Sequence, residues 1–155
     1  MIDPTGKLLI EIRDDAAVAA ITTRVRAGEP AQGDGPPFVV IRRFPITPFR
    51  RAWFVPVAHY QYLIQCYGTT PQQAAQLAGA VMDVVNNSTP RVNASGVAIY
   101  NSYWNIGGQA QKDPDTNWPF ETVTVTVNAA TMVAPVNFAV AEAETATGIG
   151  VALTP

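Results

Sequence analysis

The residues able to do chemistry are few and scattered. His59 is the sole histidine. It has no Ser or Cys nucleophile motif and no metal-ligand partner nearby, so it reads as a polar strand residue. Asp113, Asp115 and Glu121 supply carboxylates, but with Pro114 between them their spacing fits neither a calcium loop nor a two-carboxylate hydrolase. Turn-forming aspartates are the expectation. Cys66 is the single cysteine, has no partner for an intramolecular disulfide, and on the apolar face of a strand behaves as a small buried hydrophobe. Asn93-Ala94-Ser95 matches the glycosylation acceptor pattern, a coincidence without meaning where no signal sequence precedes it. No phosphate loop is present, and the reading calls for no catalytic residue, cofactor or metal. The competing reading is a small ligand-binding or enzymatic α+β domain with His59, Asp113 and Glu121 around a pocket.

Two arginine pairs carry more information. Arg42-Arg43 falls within a strand, so its members point to opposite faces, whereas Arg50-Arg51 sits at the tip of a Pro-bounded loop with Phe49, Trp53 and Phe54 beside it. Basic residues among aromatics can stack on and pair with nucleic acid, yet Arg, Trp and Phe are also the anchors of protein interfaces. The chain decides between them. With 10 Lys+Arg against 12 Asp+Glu and a formal charge of −2, it lacks the basic excess that grips phosphates. Interface is therefore preferred to DNA binding through Arg42, Arg43, Arg50 and Arg51.

The elements that position these groups centre on Val57 to Val85. Tyr60, Tyr62, Ile64 and Cys66 fall on one face of a strand and His59, Gln61, Leu63, Gln65 and Tyr67 on the other. Gly68 turns the chain. Thr70-Pro71-Gln72-Gln73 is then a helix start, with Thr at the N-cap, Pro at the first helical position and Gln73 able to bond back to the cap. Ala74, Leu77, Ala78, Val81 and Val85 recur at helical spacing, with Gln72, Gln76 and Asp83 opposite, and Asn86 to Pro90 ends the helix.

Around this block, Pro4 to Ile21 predicts helix, interrupted or re-capped at Asp14-Asp15, and Arg24 to Arg26 a short strand. Gly28 to Pro37 is a loop with Gly or Pro at six of ten positions. Phe38 to Phe44 is a central strand with both faces partly apolar, and Pro45 to Trp53 projects as a loop before the long strand from Phe54 to Tyr67. Val92 to Trp104 predicts a strand through Val97, Ile99 and Tyr103. Ile106 to Trp118, rich in Gly, Gln, Asp and Asn, predicts a loop. Phe120 to Val127 alternates Val with Thr and is the clearest strand. From Thr131 the chain shows no sustained period and only Glu142 and Glu144 are charged, so residues 131–155 read as an arm that orders against a neighbouring subunit.

At 155 residues the chain is one domain, and with 14% charged and 48% apolar residues it is lean in charge for a solvated monomer. Part of its surface is expected to be covered by partners. The first residues, MIDPTGKLL, hold no signal sequence, and no stretch approaches the roughly 20 apolar residues of a membrane span. A soluble, unsecreted protein is expected, with no membrane partner.

Asp14 to Val18, Pro37-Phe38-Val39-Val40-Ile41, Tyr62 to Thr70 and the helix bearing Ala74, Ala75, Leu77, Ala78 and Val81 together resemble the tail terminator, or tail-completion, proteins of long-tailed bacteriophages. The likeness covers about residues 1 to 128. It implies an α+β fold: a mainly antiparallel sheet packed against two main helices, about 4–16 and 70–86, with a long β-hairpin loop. Residues 1–130 are the expected domain and 131–155 the arm. It further implies a non-enzymatic virion protein that forms a homo-oligomeric ring, usually a hexamer. Such a ring caps the tail tube, ends its polymerisation and joins the tail to the head connector, with DNA only passing through the lumen. A head-closure or adaptor ring is the neighbouring reading. Contacts with other subunits or the tube are expected at Phe49, Arg50, Arg51, Trp53, Trp118 and Phe138, with Trp104 a further exposed aromatic.

Overall fold

The computed structural model describes residues 3–29, 33, 35–45, 47–48, 57–92 and 98–130. At the centre of the sheet, β4 (Val57–Tyr67) runs antiparallel to β7 (Pro119–Ala130) in continuous register from Val57 opposite Ala130 to Tyr67 opposite Phe120. The period-two pattern explains the pairing. Ala58, Tyr60, Tyr62, Ile64 and Cys66 bury completely on the same face as Val123, Val125, Val127 and Ala129. β2 (Phe38–Arg43) and the short β3 (Thr47–Pro48) pair with β4, and β1 (Val25–Ala27) lies parallel to β2. On the far side β6 (Ala98–Lys112) pairs with β7, and β5 (Arg91–Val92) with the start of β6, giving the order β1-β2-β4-β7-β6-β5. The architecture is the α+β arrangement expected, antiparallel except for one pair.

Three helices cover one face. α1 (Thr5–Asp14) ends at Asp15, whose carboxylate accepts from Ala17 N (2.9 Å) and Val18 N (3.1 Å) to cap α2 (Ala16–Ala19), so the acidic pair re-caps the chain as read. α3 (Pro71–Val85) starts with the Thr70 hydroxyl accepting from Gln73 N at 3.2 Å. The Gln73 side chain reaches one residue further back than the sequence suggests. Its carbonyl accepts from both the amide and the hydroxyl of Thr69 at 2.8 Å. Ala74, Leu77, Ala78, Val81 and Val85 are buried while Gln72, Gln76 and Asp83 face solvent. Leu8, Ile12 and Val18 complete the same core. Within it the Tyr62 hydroxyl meets Thr5 Oγ1 at 3.2 Å, and burial pushes its ionisation well up. Gly68 is required at the strand-to-helix corner, because a Cβ there would fall on Ala74 N and within 2.8 Å of the Thr70 carbonyl oxygen.

The opposite face holds a second, smaller cluster. Phe38 and Tyr67 stack with ring centroids 4.5 Å apart, Tyr67 stacks on Phe120 at 4.9 Å, and Trp118 meets Phe38 edge-on at 5.9 Å. This arrangement corrects the reading of Ile106 to Trp118 as a loop. β6 continues through Ile106 to Lys112, and only residues 113–118 form the turn back into β7. Asp113 organises that turn. Its carboxylate accepts from Asp115 N (2.9 Å) and Thr116 N (3.0 Å), bonds that hold its carboxyl below the usual range, and the Tyr67 hydroxyl reaches it at 3.3 Å. Asn117 takes a positive φ of 61° to complete the reversal.

Two outcomes follow from this packing. Leu77→Ala removes a fully buried side chain and should cost about 2–5 kcal/mol in chemical denaturation; an unchanged midpoint would show the helix face to be misassigned. Asp113→Ala should loosen the turn at a cost of about 1 kcal/mol. Trp118 fluorescence should then shift to the red while far-UV dichroism stays the same.

Candidate functional site

The surface that stands out is the outer side of β6. β5 covers Ala98 and Ile99, and Asn87 bridges Ser102. From Tyr103 to Lys112 no strand lies alongside among the described residues. Ten residues at about 3.3 Å each make an open edge of about 33 Å. Its side chains are unusual for such an edge: Tyr103 is 42% exposed, Trp104 44% and Ile106 64%. Lys112, at the end of the strand, carries its only charge. Folded proteins generally blunt an exposed edge with charge, proline or a bulge. Here register shifts near Asn101, Ile106 and Gly107-Gly108 twist the strand, and charge is withheld.

The backbone explains how this edge is held. β6 packs against the last turns of α3. Ser102 Oγ donates to the Val85 carbonyl at 2.6 Å, and Gly107 sits so close to Met82 that a Cβ would strike its sulfur. Asn105 Nδ2 donates to Thr126 Oγ1 at 2.7 Å. The rest of the sheet's helix-free face is polar and nearly uncharged, with Gln61, Gln65, Thr122, Thr124 and Asn128 in cross-strand rows.

Charged groups near these surfaces are mostly committed. Arg42 pairs with Glu29 at 3.0 Å, Arg43 with Asp3 at 2.6 Å, and Arg91 holds Glu11 through two contacts of 2.6 and 2.9 Å. Arg42 and Arg43 thus serve opposite faces, as their spacing requires, and make no joint basic patch. Residues Phe49, Arg50, Arg51, Trp53 and Phe138, with the arm, lie outside the described residues. Trp118 is described: partly buried, it is held against Phe38.

The catalytic alternative is not assembled by the fold. His59 lies opposite Asn128 and bonds to its side chain, whereas Glu121 lies opposite Cys66. Seven residues of strand, about 23 Å, separate the two rows. Two shallow clefts of about 340 Å³ each divide these residues. One is lined by His59, Gln61, Tyr103, Asn105 and Thr126; the other lies between the first turn of α3 and the β6–β7 end, where Glu121 is found. Cys66 is sealed in the core, which pushes its thiol far up and keeps it from acting as a nucleophile. Among the described residues no group of three His, Cys, Asp or Glu could hold a metal ion. No helix there is long and apolar enough to cross a membrane.

Sequence reasoning flagged Trp104 but missed Tyr100, Tyr103, Ile106 and Val92 as exposed apolar groups. The signal was present: residues 92–111 contain no charged side chain at all.

Comparison with solved structures finds a similar fold in a chain of the virion of a native gene transfer agent (GTA) particle. The TM-score is 0.62 at 15% identity, over 79% of this chain and 91% of that one. No curated protein sequence matches. A family model, Tail completion protein gp17, matches residues 7–133. That span contains every strand of the described residues and the stretches, the capped α3 block among them, on which the sequence resemblance was founded, and the chain belongs to this family of tail completion proteins.

Proposed function

We propose that this structural virion tail protein assembles as a ring, hexameric as the resemblance implies, that caps the tail tube, stops its growth and presents the surface on which the head connector docks. The observation that carries the reading is the aromatic edge of β6, uncharged up to its last residue, Lys112. Cyclic symmetry joins one patch of a subunit to a different patch of the next, and closure leaves no strand edge free. The partners are further copies of the chain, the tube protein and the connector, with DNA passing through the lumen and no membrane involved. The role is non-enzymatic. Residues Phe49, Arg50, Arg51, Trp53 and Trp118 contact neighbouring subunits or the tube, while residues 131–155 form an arm, with Phe138 as its aromatic anchor, that orders on assembly.

Native mass spectrometry of the purified chain should show one closed oligomer, and labelled subunits in assembled particles should sit between tube and connector. A chain that is monomeric even within particles would overturn the reading; a ring located wholly within the connector would move it to head closure. Removing residues 131–155 should keep the thermal midpoint of residues 1–130 within about 5 °C, because the core among the described residues is built from residues between Leu8 and Ala130. Assembly should weaken. Loss of folded protein would instead assign the arm to the core.

A further inference from the structure

We infer that the open edge of β6 receives the C-terminal arm of a second copy of this chain, which adds as a strand running parallel to β6 with its acidic end at Lys112. Three observations converge on this occupant. The first is polarity. Residues 131–141 of the arm carry no charge and residues 98–111 of β6 carry none either, so an uncharged strand meets an uncharged edge.

The second is charge at the ends. Glu142 and Glu144 are the arm's only charged residues, and Lys112 is the only one on β6. Within the arm, Val136, Phe138 and Val140 share their strand parity with Glu142 and Glu144, while Asn137, Ala139, Ala141 and Ala143 take the other side. Over these nine residues a strand would therefore present an apolar stripe ending in two carboxylates. Placing those carboxylates at Lys112 sets the direction, parallel to β6, and lays the apolar stripe beside Trp104 and Ile106. Main-chain bonds along the edge would supply affinity and the paired charges register.

The third is the route. β7 ends at Ala130, and the neighbouring Ala129 pairs with Ile99. At that end the outer side of β6 is already occupied by Arg91, Val92 and Asn87. Only residues 131–135 separate Ala130 from the alternating stretch, and Pro135 is among them. The chain's own arm would have to round β5 to reach the edge. The edge of a neighbour is open to it.

This assignment rests on the ring reading only in requiring a second copy. The test is a cysteine pair, Lys112→Cys with Glu144→Cys, in the full chain, where buried Cys66 adds no competing thiol. Oxidation should produce covalent dimers and higher species on non-reducing gels. Intramolecular linkage, or no linkage, would overturn the assignment. Native mass measured on the same sample separates the two failures, since a closed oligomer without cross-links sinks the arm contact and leaves the ring. As a second arm, Lys112→Glu should weaken assembly about two- to fivefold, in the range of an exposed ion pair. Adding Glu142→Lys and Glu144→Lys should restore it. Equal assembly in all three proteins would also overturn the assignment.

Discussion

The structure depends on one pairing, that of β4 with β7. Its eleven-residue register sets Tyr60, Tyr62, Ile64 and Cys66 against Val123, Val125 and Val127 beneath the helices, and it leaves Gln61, Gln65, Thr122 and Thr124 on the opposite face. A shift of one residue would exchange those faces. β2 is aligned by β4, β6 is aligned by β7, and α3 lies over both central strands, so every other element inherits its position from this ladder.

Where local chemistry decides the structure, the sequence was readable. The Thr70 cap, Pro71 and the three-and-four spacing of α3 act within a few residues of one another, and so does Asp15 capping α2. Alternation in β4 and β7 was legible because one face of each is buried and the other is polar. The lower half of β6 has no such contrast: Tyr103, Trp104, Ile106 and Gln109 are all exposed, whichever way they point. Without a buried face there is no period to read, and Gly107-Gly108 suggested a loop where the chain makes a bulge. That strand exists because β7 holds it, through partners that lie between 7 residues (Lys112 with Pro119) and 23 residues (Tyr103 with Thr126) away in the chain.

The same reasoning explains why the candidate surface was only partly foreseen. Aromatic anchors can be named from composition, but an open edge is a property of topology. Trp118 shows the difference: its type suggests an interface, and the Asp113 turn fixes it against Phe38 while part of it remains accessible. Family membership tells what kind of particle the chain serves. The geometry of β6 tells where the described sheet ends in an open edge.

The order of strands also bears on timing. β6 is held by β7, and β7 closes on β4, whose partner residues lie up to 73 positions away along the chain, as Val57 and Ala130 do. Loop closure over such separations is slow compared with forming a helix. The central ladder cannot complete until residues near 130 have left the ribosome, so the open edge of β6 is fixed only after the core is finished. Folding order is thereby written into strand order: the part of the sheet held in place last is the edge that is left open.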